Sequence, residues 1–456
     1  MKSLLQLATL ILSPSAFAAV FTLPVLPDTQ NEVTGNVTMF TDQMNWIVSN
    51  HTTMHMPTVL AVGDIVNWDT ADHAQWVTAS NGYTTLDNAA ITYTVCVGNH
   101  DTAAVTVGGG AAPGNVNANL RNTTSFNTYF PVNRFVTQQG RWEANKSDNV
   151  WSIFTAGGVN WLVLSLELWP RQGAIDWANT VVVAHPNHNV IVVTHSYLNS
   201  DGTIKQDNGG YGDTSPQHLF DTLVKVHPNV LLVLCGHVDS SAWRTDTGTN
   251  GNKVYSILQD YQTTDLGGGF IRLFDIDTTA HTIAARMYSP YHNTTKTDSS
   301  MFTISNVTFI QPAPFETESL AMTASSGDTH RILTESGLSG GEGTILDATA
   351  VGDYVTYAIP AVAAGKYDVR VGVKKHNTRG IWQLSIGRAD NFAGTANPLG
   401  TTQDEYSSAD SYTEFDLGMW SPSTYSDKWF QFKVTGKNAA SSGYTMAFDY
   451  IKLIPQ

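Results

Sequence analysis

Five short apolar runs in this chain each end abruptly in polar side chains of the same few types. In residues 92–101, which read TYTVCVGNHD, β-branched and aromatic residues alternate until Gly98, and three polar residues follow. This run predicts a buried strand that delivers polar groups from its C-terminal end. The five strand ends carry Asp28 and Gln30; Asp64; Asn99, His100 and Asp101; His195; and His237 and Asp239. Strand ends of an α/β sheet meet at one edge, so we expect one site there.

The residue types at these strand ends favour a metal site. Carboxylates, amide oxygens and imidazoles are the ligands that divalent first-row metals take. Taken alone, each residue has a simpler explanation: a turn or cap for Asp28 and Asp64, a surface position for Gln30, a polar turn for residues 99–101, and a core position for His195 and His237. Their joint occurrence at five successive strand ends favours metal binding over these separate explanations.

In this order, the blocks resemble the calcineurin-like metallophosphoesterases. The motifs are Asp-x-Gln, Gly-Asp, Gly-Asn-His-Asp, Thr-His and Gly-His-x-Asp, and the resemblance covers roughly residues 20 to 310. It implies a two-sheet β-sandwich flanked by helices, with two divalent metal ions. One metal would take Asp28, Gln30, Asp64 and Asp239, and the other Asp64, Asn99, His195 and His237. A hydroxide bridging the metals would attack phosphorus, His100 would protonate the leaving alkoxide, and Asp101 would orient His100.

Two positions depart from the family pattern. Gln30 and Asp239 stand where the family has histidines, so the first metal would have only oxygen ligands. Oxygen donors suit Mg, Mn, Ca or Fe better than Zn. We therefore expect a harder first metal beside an imidazole-bound second one, while the identity of each ion (Mn, Fe, Mg, Ca or Zn) stays open.

The 456 residues predict more than one domain. Up to Cys235 strand-like runs alternate with helical periods, and from Lys253 to Phe309 the pattern is β alone. This indicates an α/β or sandwich core with helices outside, in a catalytic domain over residues 20–310. Residues 311–318 read as a linker, and residues 319–456 carry only short alternating runs separated by Gly, Asn and Ser turns. That pattern is typical of an all-β sandwich, here predicted to be jelly-roll-like.

The second domain is rich in aromatic residues, and it is loosely similar to the carbohydrate-binding sandwiches attached to exported bacterial enzymes. Exposed aromatic rings on such a sandwich can stack on sugars. Core packing is the simpler explanation, because alternating strands place about half of their side chains inside. The residues concerned are Trp382, Tyr412, Trp420, Tyr425 and Trp429.

The N-terminus resembles a secretory signal peptide. Residues 1–19 combine a short basic start, an apolar run and a small-residue cleavage site near Ala18 or Ala19, which predicts a secreted or periplasmic protein. No other stretch is long enough to span a bilayer.

Cys96 and Cys235 both lie in apolar runs, so buried thiols are favoured over a disulfide. A net charge of −15 without any basic run argues against a nucleic-acid-binding surface.

The sequence therefore predicts an exported, dinuclear metal-dependent hydrolase of phosphate esters. It leaves open whether the ester is a monoester or a diester. The alternative is a surface or glycan-binding protein whose phosphoesterase domain is degenerate, given Gln30 and Asp239.

Overall fold

The computed structural model of the chain describes residues 20–325, 327–362, 365–387, 397–423 and 426–455. Within these residues the strands form four sheets, two built from residues 20–305 and two from residues 315–455. The predicted signal peptide and Tyr425 lie outside the described residues.

The first two sheets contain fourteen described strands, and seven helices accompany them. The strands are β1 (Val20–Leu26), β2 (Val59–Ala61), β3 (Tyr93–Val95), β4 (Gln138–Arg141), β5 (Val150–Ala156), β6 (Val159–Leu166), β7 (His188–Thr194), β8 (Val230–Cys235), β9 (Ser241–Thr247), β10 (Lys253–Gln259), β11 (Ile271–Asp277), β12 (Thr282–Ser289), β13 (Thr294–Thr295) and β14 (Phe302–Ser305). The helices are α1 (Gln30–Gly35), α2 (Val37–Asn50), α3 (Ala74–Asn88), α4 (Val116–Leu120), α5 (Thr124–Tyr129), α6 (Gln172–Ala184) and α7 (Pro216–Leu219), which a π-helical turn, Phe220–Val224, continues.

The two sheets pack face to face as a β-sandwich. The first has the order β13-β12-β11-β1-β2-β3, with β14 on β12, and the second has the order β4-β5-β6-β7-β8-β10-β9. Phe21, Trp161 and Ile257 belong to the apolar core between the sheets. Helices α2 and α3 pack on the outside of the first sheet, and α6 and α7 on the outside of the second. The predicted two-sheet sandwich flanked by helices is therefore confirmed.

The parallel strands bring the candidate residues to one edge of the sandwich. In the first sheet β1, β2 and β3 run parallel, and in the second sheet β6, β7, β8 and β10 do so. The carboxyl ends of parallel neighbours point the same way. Asp28, Asp64 and Asn99 follow the first three strands, and His195 and His237 follow β7 and β8.

The second half of the chain is all-β, as the alternating sequence pattern predicts. Its strands are β15 (Phe315–Glu316), β16 (Met322–Ala324), β17 (His330–Thr334), β18 (Glu342–Leu346), β19 (Tyr354–Val362), β20 (Tyr367–Lys375), β21 (Gly380–Gly387), β22 (Asn397–Asp404), β23 (Ser411–Trp420), β24 (Ser426–Lys437) and β25 (Met446–Pro455). One sheet has the order β17-β18-β25-β20-β23, with β15 on β25, and the other has the order β16-β19-β24-β21-β22. Tyr357, Trp382, Phe432 and Phe448 pack together in their common core.

The connection between the two halves is held at both of its ends. Asn189, near the start of β7, donates to the carbonyl oxygen of Ile310 at 3.0 Å and accepts from its N–H at 2.8 Å. Phe315 and Glu316, which the sequence assigns to the linker, pair with β25. The chain is thus fixed to the first half at residue 310 and joins the second half within five residues.

Two predictions concern the chain as a whole. Cys96 and Cys235 are free and buried, so the prediction of buried thiols is confirmed. Among the described residues, no helix has both the length and the hydropathy needed to cross a membrane.

Candidate metal centre

His195 lies where the strand ends of the two sheets meet. Its Nδ1 is 2.9 Å from the carbonyl oxygen of Val62, so this nitrogen carries a proton and donates it. Its Nε2 faces inward, 3.0 Å from Oδ2 of Asp64 and 3.2 Å from Nδ1 of His237. The ligand atoms of Asp64, His195 and His237 all lie within 4.8 Å of one another. Three electron-pair donors that converge in this way form a group that could hold a metal ion.

Asp28 adds a carboxylate from the end of β1. Its Oδ2 accepts the backbone N–H of His237 at 3.0 Å and lies 4.0 Å from Nε2 of His195. Its Oδ1 is buried and has no hydrogen-bond partner among the described residues. A Cβ atom on Gly236 would overlap that oxygen, so the glycine of the Gly-His-x-Asp motif makes room for Asp28.

Two amide side chains also hold buried oxygens without a partner among the described residues. They are Oε1 of Gln30 and Oδ1 of Asn99. A buried polar oxygen without a hydrogen bond is costly, and native proteins rarely leave one unpaired. Both oxygens belong to predicted ligands, and their lone pairs fit a bound cation. The unpaired oxygens and the two imidazoles are donors of the kind that a divalent metal centre uses.

The charges around His195 and Asp64 show what the site favours electrostatically. Burial lowers the pKa of His195, but Asp64 and Asp28 raise it to about 10. Burial raises the pKa of Asp64, but His195 and His100 lower it to about 2. Burial and His195 together lower the pKa of His237 to about 3, which leaves a neutral imidazole. The site therefore favours positive charge between its carboxylates, at the place where a cation would bind.

Strained backbone accompanies this geometry. Asp64 and His237 both have positive φ, 49° and 69°. Gly63 has φ of 104°, and a Cβ atom there would lie 2.8 Å from the backbone nitrogen of Gly98. Non-glycine residues held at positive φ cost free energy and cluster at functional sites.

His100 lies beside the centre with one ring nitrogen engaged. Its Nδ1 is 2.5 Å from the carbonyl oxygen of Asn67, and its backbone N–H donates to Oδ1 of Asp64 at 2.8 Å. Because a carbonyl can only accept, Nδ1 carries the proton. The carbonyl of Asn67 thereby fixes the ring, and Nε2 is the nitrogen left for a substrate.

Asp101 makes different contacts from those that the resemblance implies. Its buried carboxylate accepts the backbone N–H groups of Ile65 and Gly98, both at 2.9 Å. Burial and the charge of Asp64 raise its pKa to about 7. Asp101 therefore ties the loop after β2 to the loop after β3, and its effect on the His100 ring passes through the backbone.

The structure does not place every predicted ligand in the same way. Asp28, Gln30, Asp64 and His195 are buried, whereas Asp239 is exposed and its Oδ2 accepts a hydrogen bond from Oγ1 of Thr263. Asp239 is also outside the group formed by Asp64, His195 and His237.

Asp260 is a buried carboxylate outside the set of ligands predicted from the sequence. It follows β10, its Oδ1 accepts the N–H of Gln262 at 2.9 Å, and its Oδ2 is buried without a partner among the described residues. After burial, its charge is the strongest influence that raises the pKa of Asp28. Oε1 of Gln262 accepts from Nε2 of Gln30. The signal was present in the sequence, because residues 253–260 are a sixth apolar run ending in a carboxylate.

The family comparison covers most of this site. Residues 32–240 match the family model described as Calcineurin-like phosphoesterase. The chain is therefore similar to the calcineurin-like phosphoesterases over this region. The match contains Asp64, Asn99, His195 and His237, while Asp28 and Gln30 precede it and Asp260 follows it. The resemblance drawn from the motifs is thus confirmed for the domain, and the Asp-x-Gln variant stays a prediction.

The similarity to individual proteins is low. The chain is 29% identical over 284 residues to the uncharacterized protein YvnB of Bacillus subtilis (strain 168), which covers 60% of this chain and 20% of that protein. The chain thus spans about a fifth of that relative's length. Among solved structures, a dimetal phosphatase from Danio rerio is 12% identical at a TM-score of 0.38, covering 62% of this chain and 98% of that one. A Paenibacillus xanthan lyase is 22% identical at a TM-score of 0.28, covering 41% and 22%.

Proposed function

We propose that the calcineurin-like domain hydrolyses phosphate esters with the help of two divalent metal ions. The observation that carries this proposal is the convergence of four side chains. The ligand atoms of Asp64, His195 and His237 lie within 4.8 Å of one another, and Oδ2 of Asp28 lies 4.0 Å from Nε2 of His195. Metals bound there would polarise the phosphoryl oxygens and lower the pKa of a water molecule.

His100 supplies the proton that the leaving group needs. Its Nδ1 is committed to the carbonyl oxygen of Asn67. Nε2 is therefore the atom that donates to the ester oxygen as the bond to phosphorus breaks, and the resulting neutral ring regains its proton from water. The hydrogen bond from the backbone of His100 to Asp64 keeps this ring at a fixed position relative to the metal ligands.

Asp260 joins Asp28 and Gln30 as an oxygen ligand of the first metal. All three side chains are buried, and each has an oxygen without a partner among the described residues. Asp260 thus supplies the buried anionic ligand on the side where the sequence alone suggested Asp239. Three oxygen donors favour a hard ion such as Mn or Mg over Zn at this position.

The test is metal-dependent turnover of an aryl phosphate and a bis-aryl phosphodiester by the full chain. The wild type, stripped of metal and reloaded with Mn, is compared with Asp64→Asn and with a control, Asp42→Asn on helix α2. Activity should require metal, persist in the control and fall by about a thousandfold or more in Asp64→Asn. Absence of metal-dependent turnover on either ester would favour the alternative of a degenerate domain in a binding protein.

Carbohydrate binding by residues 319–456 is a separate proposal. Tyr412 is 43% exposed and could offer a ring face to a sugar, whereas Trp382 is fully buried in the core. Retardation of the protein in gels that contain soluble polysaccharides, and its loss in Tyr412→Ala, would support the proposal. Equal mobility with and without polysaccharide would oppose it.

Export is likewise proposed, on the sequence of residues 1–19 alone. Mass spectrometry of the protein from its native source should find a mature N-terminus near Ala19 or Val20. An intact N-terminus retained inside the cell would contradict it.

A further inference from the structure

A cavity of about 330 Å³ opens beside the metal centre and has predominantly apolar walls. Asn99 and His237 line one end of it, so the cavity begins at the predicted metal ligands. Ala104, Val116 and Leu120 line it farther out and belong to a small apolar cluster separate from the main cores. A phosphoryl group held at the metals would place its ester substituent at the mouth of this cavity.

Trp169 forms the aromatic wall of the cavity. Its ring meets the His237 ring edge-on, with centroids 5.8 Å apart, and stacks with Tyr211 at 5.9 Å and 15° between planes. Its Nε1 is buried without a hydrogen-bond partner among the described residues. An indole N–H in this state can donate to a ligand that carries an acceptor.

The backbone of Trp169 is held in a strained conformation. Its φ is 44°, a value that bulky residues rarely adopt. Arg121 binds the carbonyl oxygens of Leu168 and Trp169 at 2.9 Å and 2.6 Å, and a Cβ atom on Gly212 would lie 2.7 Å from Cβ of Trp169. Surrounding groups thus fix the indole in place at a free-energy cost, which is typical of functional positions.

Lys205 places a positive charge at the same cavity. Its Nζ lies 5.6 Å from the centroid of the Trp169 ring, and within the described ranges no carboxylate lies within 4 Å of it. An unpaired ammonium beside a metal-bound phosphoryl group would attract the anionic part of the substrate. The apolar walls offer little to a sugar, whose hydroxyl groups would lose hydrogen bonds to water there.

We propose that this cavity binds the leaving group of the substrate. This leaving group is an alcohol with a planar, apolar substituent, such as an aryl or arylmethyl group. The inference rests on the proposed phosphoesterase function and deepens it by naming the substrate class. Trp169 and Tyr211 hold the ring, the aliphatic residues enclose it, and Lys205 counters the charge of the phosphoryl group.

The test compares 2-naphthylmethyl, benzyl and ethyl phosphates, or the matching methyl diesters if the enzyme prefers diesters. These esters differ in ring size while their leaving alcohols are similarly acidic. The wild type should favour the naphthylmethyl ester over the ethyl ester by about tenfold or more in kcat/KM, as burial of a ring predicts. Tyr211→Ala should remove most of that preference.

Tyr291→Ala is the matched control, because Tyr291 and Tyr211 are equally exposed, at 39%. It should keep the full preference. Trp169→Leu replaces the indole of the inner wall by a smaller apolar side chain. It should lower the preference for the naphthylmethyl ester while the metal content stays unchanged. Equal kcat/KM for all three esters in the wild type would overturn the proposal.

Binding of 2-naphthylmethylphosphonate, which cannot be hydrolysed at its carbon–phosphorus bond, separates the two proposals. Calorimetry on the metal-loaded wild type should show binding that Tyr211→Ala weakens about tenfold. Such binding without turnover of any ester would support ring binding in the cavity and contradict the phosphoesterase function. Turnover without a preference for the ring would support the phosphoesterase function and contradict binding of the leaving group in the cavity.

Discussion

The backbone N–H of His237 donates to Oδ2 of Asp28 at 3.0 Å, across 209 residues of sequence. Asp28 follows β1 of the first sheet, and His237 follows β8 of the second. One hydrogen bond thus joins the two sheets at the point where both supply candidate ligands.

Replacing Gly98 by alanine should disrupt the centre without removing a ligand. A Cβ atom at this position would lie 2.6 Å from the backbone nitrogen of Asp64 and would overlap its carboxylate. We expect metal affinity and turnover to fall at least about tenfold, with a loss of roughly 1–3 kcal/mol in stability. Gly436→Ala is the control, since its Cβ would meet nothing within 4 Å. Normal metal binding in Gly98→Ala would contradict the geometry.

Replacing His100 by asparagine should affect poor leaving groups most. The proton from Nε2 matters for an alkyl phosphate, where kcat should fall by about 10²–10⁴-fold. A 4-nitrophenolate needs no proton to leave, so the loss on that ester should be much smaller. Kinetics on both esters, with metal content measured in parallel, check this. Equal losses on the two substrates would show that His100 acts in another way.

Replacing Asp260 by asparagine should weaken binding of the first metal ion and leave binding of the second unchanged. Affinity for the first ion should fall by at least about tenfold, because a buried anionic ligand becomes neutral. Metal analysis after dialysis should approach one ion per chain, and the electron paramagnetic resonance spectrum of the Mn-loaded protein should change from a coupled pair to a single ion. Asp265→Asn, at an exposed aspartate, should keep two. Two tightly held ions in Asp260→Asn would remove this residue from the ligand set.

His188 should make the protein sensitive to acid. Burial and the neighbouring His185 lower its pKa from the ordinary 6.5 to about 4. The unfolded chain therefore binds a proton more readily than the native chain between these values, so stability falls as pH drops from 6.5 to 4. We expect a loss of roughly 1–3 kcal/mol over that range, which His188→Asn should reduce. Denaturant unfolding at several pH values tests it, with His55→Asn, at an exposed histidine, as control.

The strand ends carried nearly everything that the sequence could reveal about this site. Apolar runs that stop at Gly63, Gly98 and Gly236 predicted both the strands and the polar side chains that follow them. The contact between His100 and the carbonyl oxygen of Asn67 was out of reach, because a backbone carbonyl has no signature in the residue type.

Asp239 and Asp260 differ for a related physical reason. The sequence placed Asp239 in the site by its position in a motif, whereas the chain's path after β8 leaves it exposed and bonded to Thr263. The burial of Asp260 depends on the pairing of β10 with β8, a contact between distant segments. Local patterns predict elements well and predict contacts between distant segments poorly.

The hydrogen bonds between Asn189 and Ile310 determine where the second half of the chain is attached relative to the candidate metal centre. Asn189 stands near the beginning of β7, and His195 follows its end, six residues or about 20 Å farther along the strand. The second half of the chain is therefore attached near the end of β7 that lies away from the candidate metal centre. Residues 315–455 therefore join the chain about one strand length from the candidate metal centre, on the side of the first half that does not carry the predicted ligands.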